Sequence, residues 1–121
     1  MNLGHEQYVS VTTYRRNGAA VPTPVWVAQD ADAIVIWTVA DSGKVKRMRA
    51  NPSVTVAPCD VRGRPLGEPV SGRAEILSAE ETERVRRLLR AKYGLQGRLV
   101  LLASLVRRGR SGTVGVRITD I

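Results

Sequence analysis

Through the first two thirds of the chain, hydrophobic residues alternate with polar ones or form short apolar runs. Both patterns predict β-strands. Asn17-Gly18 and the segment 30–32 supply tight turns between the first three strands, which are therefore expected to form a meander. The third strand is apolar on both faces, as expected inside a barrel or a sandwich. The predicted strands cover residues 8–14, 20 to about 29, 33–39, 53–60 and 68–77.

Helical spacing of apolar residues follows at two places in the chain. Val45 and Met48 lie three positions apart and give a short helix one apolar side. Ser78 and Glu81 form a capping box that opens a longer helix, and Gly94 ends that helix. Helices are therefore predicted over residues 44–50, 78 to about 93 and 95–106, before a sixth strand over residues 113–121. This pattern predicts a mainly β fold, a six-stranded antiparallel barrel with helices packed on it, in a single domain over residues 1–121.

Composition narrows the class of protein. A chain of 121 residues with 43% hydrophobic and 25% charged residues suits one globular domain rather than a disordered segment. The longest apolar run, residues 99–105, is too short to span a bilayer, and the first residues have no signal-peptide pattern. We therefore expect a cytoplasmic protein without a membrane partner. One cysteine, Cys59, excludes an internal disulfide, and one histidine, His5, leaves almost nothing for a zinc site.

The formal net charge of +8 attracts polyanions, either a nucleic acid, an acidic membrane face or a phosphorylated ligand. A basic small barrel that binds nucleic acid is accordingly one alternative. Aromatic residues, which single-strand binders use as stacking platforms, make up only 4% of the chain and disfavour it.

The start of the short helix carries the most informative charges. Lys44, Lys46 and Arg47 fall in its first turn, where the helix dipole is positive and cations are normally disfavoured. An anion bound there would relieve the repulsion and accept hydrogen bonds from free backbone N–H groups. Lys44 and Arg47 are three positions apart and would flank one side of the turn. The pattern favours an anion site over a merely solvated basic face.

The second predicted strand contains Pro22 and Pro24, which remove backbone donors from one edge. A protected edge strand explains this spacing, and so does a ligand or a second subunit lying alongside. Trp26 or Trp37 would give such a ligand an apolar wall, although both also suit the core. Hydroxyl groups expected near the same edge belong to Thr23, Thr38 and Ser42.

Conventional catalytic groups are missing. His5 lies near the terminus, so no Ser-His-Asp set can form. Cys59 has no evident base and is expected to be an inert structural thiol. The glycines do not form a dinucleotide or phosphate-loop motif. An enzyme with this sequence would need a bound cofactor to supply the reactive group.

Several motifs together resemble a known family, the split-barrel flavin and deazaflavin oxidoreductases related to pyridoxamine 5′-phosphate oxidase. They look most like its small actinobacterial branch, often called PPOX class F420-dependent enzymes. The resemblance is strong over residues 8–77 and rests on the order of the motifs. In chain order these are YVSVTTYRRNG (8–18), PTPVW (22–26), IWT (36–38), SGKVKRMRANP (42–52) and VTVAPCD (54–60).

The resemblance implies a six-stranded split barrel, a homodimer with a cofactor cleft between the subunits, and binding of coenzyme F420, with FMN as the alternative. The implied reaction is hydride transfer between F420 and a small conjugated organic substrate. For the cofactor phosphate it implies Lys44 and Arg47, assisted by Ser42 and Lys46. For the deazaflavin ring it implies Thr23, Pro24 and Val25, joined by Thr38, Ala57 and Pro58. Val27 stands where many relatives have Phe, which alters the expected pocket wall.

Overall fold

The computed structural model describes residues 3–121, without the side chain of Arg110. Seven strands, two helices and two short 3-10 turns make up this part of the chain. The strands are β1 Tyr8–Tyr14, β2 Ala20–Val25, β3 Val27–Asp30, β4 Ala33–Val39, β5 Ser53–Cys59, β6 Val70–Ile76 and β7 Thr113–Thr119. The helices are α1 Gly43–Ala50 and α2 Ala79–Arg108, and the 3-10 turns are Leu3–His5 and Arg110–Gly112.

All seven strands belong to one antiparallel sheet with the order β2-β1-β5-β6-β7-β4-β3. Its two edge strands, β2 and β3, are separated in the chain by Trp26 alone. The sheet therefore rolls up until its edges meet, because one residue cannot bridge the width of a flat seven-stranded sheet. β2 lies against β4 without a ladder between them. We call this open line between β2 and β4 the seam. The predicted split barrel is confirmed.

The barrel has seven strands rather than six, because the predicted strand over residues 20–29 is two strands. Its first half pairs with β1, where Val25 is opposite Val9. Its second half pairs with β4, where Val27 is opposite Ile36. The chain leaves one edge of the rolled sheet and joins the other at Trp26. Apolar side chains continue across this switch, so the sequence pattern shows no boundary there.

The core has two parts. Inside the barrel lies a cluster of aliphatic side chains from the strands, closed at one end by Val45 and Met48 of α1. Outside the barrel, the sheet face that carries Val35 packs against Leu89 and Leu101 of α2. Burial of these two apolar surfaces is the main stabilising contribution to the fold. It also fixes α1 at the end of the barrel and α2 on its side.

Helix α2 bends at Gly94, whose φ of 60° and ψ of −134° are not helical. It is therefore two consecutive helices, as predicted. The predicted capping box is also present: the Ser78 hydroxyl accepts a hydrogen bond from the Glu81 backbone N–H at 3.2 Å, and the Glu81 carboxylate accepts one from the Ser78 backbone N–H at 3.5 Å. None of the helices in the described part of the chain has the length and apolarity needed to cross a bilayer.

Candidate cofactor-binding site

Helix α1 begins at Gly43, directly after its N-cap residue, Ser42. The Ser42 hydroxyl accepts a hydrogen bond from the backbone N–H of Val45 at 3.3 Å. This contact satisfies one of the free donors of the first turn and commits the hydroxyl to capping. No acidic residue lies in that turn. Within the first turn itself, no acidic side chain therefore compensates the positive end of the helix.

Lys44 and Arg47 both turn toward the end of the barrel. The Lys44 ammonium donates a hydrogen bond to the Thr38 hydroxyl of β4 at 3.0 Å. The Arg47 guanidinium donates through Nε to the Thr13 hydroxyl of β1 at 2.7 Å. Both cations are half-buried, whereas Thr13 and Thr38 are buried. We call Lys44 and Arg47 the cation pair.

The cation pair has no carboxylate partner among the described residues. Arg84, Arg86 and Arg117, in contrast, all form ion pairs with acidic side chains. Burial, and next the charge of Arg47, lower the pKa of Lys44 below its usual value. A bound anion would stabilise both cations and reverse that shift. The arrangement holds positive charge ready for a negatively charged ligand.

Gly43 permits this arrangement. A Cβ atom at this position would lie 2.8 Å from Nη1 of Arg47, so the guanidinium folds over the first residue of the helix. Sequence reasoning did not single out either Gly43 or the partner Thr13. A glycine directly after the N-cap is a poor helix former. Its presence there was the one sequence signal that another side chain lies close to the backbone at this position. The Thr13 contact joins residues 34 positions apart and leaves no signal in the sequence.

The two prolines of β2 line the seam. β2 pairs with β1 over its whole length, with Pro24 opposite Ser10 and Pro22 opposite Thr12. The donors that the prolines lack therefore belong to the other edge of β2, which faces the seam. The predicted protected edge is confirmed. Thr23 shares a sheet face with buried Val25, and Pro24 is exposed on the opposite face.

Other predicted site residues are not gathered with the cation pair. Lys46 is exposed on α1. Ala57 and Pro58 are buried in β5, which is separated from β2 by β1. In register, Ala57 lies in one row with Ser10 and Pro24, toward the end of β1 away from the Thr13 contact.

Both tryptophans pack against the apolar cluster of the outer layer, between the sheet and α2. Trp37 alternates with Thr38 along β4 and packs in the outer layer against α2. Trp26 stacks on Tyr93 of α2, with ring centroids 4.2 Å apart. This is the core placement that both tryptophans also suited in the sequence, although Trp37 and Thr38 do line one pocket of the outer layer together. The outer side of the sheet offered these rings a larger apolar surface, that of α2.

A cavity of about 310 Å³ lies in that outer layer, between Trp37 and the two halves of α2. It shares no residue with the cation pair. Its lining includes Glu83 beside Arg86, which form an ion pair, so part of its charge is already compensated. We assign the candidate site by its charge, since half-buried cations without a carboxylate favour an anionic ligand.

Cys59 is buried and free. Burial, and next the charge of Asp60, raise the pKa of its thiol, which opposes formation of the reactive thiolate. Within the described residues, no group of histidine, cysteine and acidic side chains could hold a metal ion. The structure thus agrees with the predicted inert thiol.

Comparison with known protein families identifies the family of this chain. The family described as pyridoxamine 5′-phosphate oxidase matches residues 2–119 of the chain. The chain belongs to this family. No curated protein matches the chain in sequence.

Solved structures agree on the fold of this pyridoxamine 5′-phosphate oxidase family member. The conserved hypothetical protein Rv2991 from Mycobacterium tuberculosis has a TM-score of 0.70 at 24% identity, over 94% of this chain and 72% of that one. An F420 reductase gives 0.63 at 16% identity, over 96% and 88%. The haem storage protein HutZ from Vibrio cholerae gives 0.67 at 10% identity, over 94% and 81%. At these identities the similarity shows the shared fold alone.

Proposed function

We propose that this protein binds the phosphorylated deazaflavin F420 and transfers a hydride between it and a small conjugated organic substrate. The observation that carries the proposal is the cation pair at the first turn of α1, half-buried and without a carboxylate partner among the described residues. A phosphate group suits this charge and the free backbone donors of the helix. F420 supplies, when bound, the ring carbon that carries the hydride.

The residues have distinct roles in this proposal. Lys44 and Arg47 bind the phosphate, and the hydroxyls of Thr38 and Thr13 hold these two side chains in place. Ser42 acts through the helix, because its hydroxyl caps the first turn. The other implied site residues fall into three groups. Thr23, Pro24 and Val25 at the seam line the ring. Lys46 contributes a distant charge, and Ala57 and Pro58 support the neighbouring strands.

A homodimer is part of the proposal. The seam leaves an edge of β2 without a neighbouring ladder, and a second subunit would complete a cleft there. Members of this family are generally dimeric. The protein supplies binding, orientation and exclusion of water, and no residue near the cation pair is required as a nucleophile.

Equilibrium dialysis with F420, FMN and riboflavin tests the cofactor. We expect F420 to bind most tightly, and FMN to bind more tightly than riboflavin, which lacks the phosphate. Tighter binding of FMN than of F420 would favour the alternative, an FMN-dependent oxidase or reductase of the same fold. Failure of every phosphorylated cofactor to bind would refute the proposed site.

Turnover is measured separately, as the oxidation of reduced F420 in the presence of small conjugated acceptors such as enones. We expect oxidation that depends on both protein and acceptor. Tight binding of F420 without turnover on any acceptor would instead indicate a cofactor carrier. Binding to DNA or RNA with a steep salt dependence, and none to F420, would favour the nucleic-acid alternative.

A further inference from the structure

The two halves of α2 meet at a sharp bend next to Gly94, whose backbone is not helical. A Cβ atom added to Gly97 would lie 3.1 Å from the carbonyl oxygen of Leu89 and 3.6 Å from Cα of Arg90. In a straight helix, residues seven positions apart are separated by about 10 Å along the axis. The second half of the helix therefore turns back against the first. The outer-layer cavity of about 310 Å³ lies between the two halves and the sheet.

Three arginines line this cavity, and they differ in their partners. Arg86 is buried, forms an ion pair with Glu83 and donates through Nη2 to the Thr113 hydroxyl at 2.6 Å. Arg90 is half-buried and Arg98 is exposed, and neither forms an ion pair with a described residue. Among the described residues of the lining, Glu83 is the only carboxylate, and it is committed to Arg86. Two positive charges therefore remain without a counter-charge.

The rest of the cavity wall is apolar. Leu101 is buried and lines the cavity together with Leu102, Leu105 and Trp37. The indole Nε1 of Trp37 is buried and has no hydrogen-bond partner among the described residues. A buried indole N–H normally has an acceptor, and leaving it unsatisfied costs free energy. An acceptor atom of a ligand beside this ring would satisfy it.

The wall selects a ligand by charge and by shape. Guanidinium groups bind carboxylates through pairs of parallel hydrogen bonds, and the apolar side chains favour a hydrocarbon body. The volume of about 310 Å³ is at the lower end of the range of about 300–1,000 Å³ for small-molecule sites. We propose that this cavity binds a small organic anion, a carboxylate with an aromatic or branched apolar body. Its charged end contacts Arg90 and Arg98, and its body contacts Trp37 and Leu101.

This cavity is separate from the cation pair. Trp37 packs in the outer layer, whereas the hydroxyl of the adjacent Thr38 accepts a hydrogen bond from Lys44. Neighbouring residues of a strand face opposite sides of the sheet, so β4 lies between the two sites. A cofactor phosphate at the start of α1 would leave the cavity free. The proposal therefore does not rest on the proposed function.

Isothermal titration calorimetry of the cofactor-free protein tests the charge requirement. The probes are phenylacetate, 4-phenylbutyrate and 2-naphthoate, each compared with its amide, which has nearly the same shape and no charge. We expect at least one acid to bind, and to bind at least about tenfold more tightly than its amide, the effect of one charge-assisted contact. Binding of none of the three acids, or equal binding of acid and amide, would overturn the proposal.

Arginine variants test the position of the charged end. Arg90→Gln and Arg98→Gln should each weaken binding of the acid by roughly five- to tenfold and change binding of the amide by less than about twofold. Arg87→Gln is the matched control, because Arg87 is an exposed arginine of the same helix that does not line the cavity. Equal losses in all three variants would show that only bulk charge attracts the acid, and would overturn the proposal.

Two further measurements locate the apolar body. In Trp26→Phe, Trp37 is the only tryptophan left, and its emission should change when the acid binds. Leu105→Phe narrows the cavity and should weaken the acid and the amide together, with a denaturant midpoint close to that of the wild type. Unchanged Trp37 emission would overturn the proposal. Displacement of the acid by F420 would also overturn it, because the cavity would then belong to the cofactor site. Failure of F420 to bind would affect the proposed function alone.

Discussion

Replacing Lys44 by methionine removes one cation of the pair and keeps most of the side-chain volume. In the unliganded protein this ammonium has one hydrogen bond, to Thr38 at 3.0 Å. Losing a hydrogen bond of this kind costs about 1 kcal/mol. Removing a half-buried charge beside Arg47 offsets part of this loss, because burial and that neighbour both lower the pKa of Lys44 and so disfavour its charged form. We therefore expect the free energy of unfolding to fall by less than about 1 kcal/mol.

Cofactor affinity should respond very differently. A charge-assisted contact to a phosphate contributes about 1.5–3 kcal/mol, which corresponds to a loss of roughly 10- to 150-fold in affinity for F420 in Lys44→Met. Lys46→Met is the matched control, since it removes the same charge from the same helix at an exposed position. Its affinity should fall by less than about threefold, the weight of a screened surface charge.

The assay pairs equilibrium dialysis of F420 with denaturant unfolding of each variant. A further signature is pH dependence. The wild-type affinity should weaken as pH rises through the lowered pKa of Lys44, because the phosphate then loses its charged partner. In Lys44→Met this part of the pH dependence should vanish. Equal losses in the two methionine variants would show that only bulk charge matters. A large loss of stability in Lys44→Met would show that the cation pair is structural.

Three further outcomes are expected. Gly43→Ala should weaken F420 binding, because the added Cβ displaces the Arg47 guanidinium. It should also raise the free energy of unfolding by up to about 1 kcal/mol, because alanine is the better helix former. Unchanged affinity would show that Gly43 is not part of the site. Asp30→Asn should lower the free energy of unfolding by about 1–2 kcal/mol at pH 7. Arginine contacts, that of Arg84 foremost, hold the pKa of the Asp30 carboxyl below its usual value. In acid unfolding, the difference between variant and wild type should therefore shrink as the pH falls through the lowered pKa of Asp30, and a constant difference would contradict this. The Cys59 thiol should resist a thiol reagent at pH 8 and react fully in denaturant, and rapid labelling of the folded protein would show that it is accessible.

Local signals in the sequence were accurate where neighbouring residues decide the structure. Ser78 and Glu81 predicted a capping box, and both of its hydrogen bonds are present. Gly94 predicted the break in α2, because its positive φ is a conformation that glycine adopts without strain. Pro22 and Pro24 predicted an edge strand, since they lack donors for a ladder.

Contacts between distant segments were not accessible in this way. The break at Trp26 follows from closure of the barrel, which depends on where the far edge of the sheet lies. The separation of Lys46 from Lys44 was accessible in principle, because residues two apart on a helix face different sides. The grouping of Ala57 and Pro58 with the ring residues of β2 came from the resemblance, and the structure places them on β5, two strands away from β2.

By itself, the sequence determined which segments are extended and which are helical, the caps and breaks of the helices, and that a group of cations stands at the positive end of a short helix. These properties depend on backbone geometry and on residues within one or two turns of each other. Only the tertiary structure decided that Lys44 and Arg47 turn toward the barrel while Lys46 does not, and that the predicted strand over residues 20–29 divides between the two edges of the sheet. The reason is physical: burial and charge compensation are set by what packs against a side chain, and here those neighbours come from strands up to 34 positions away.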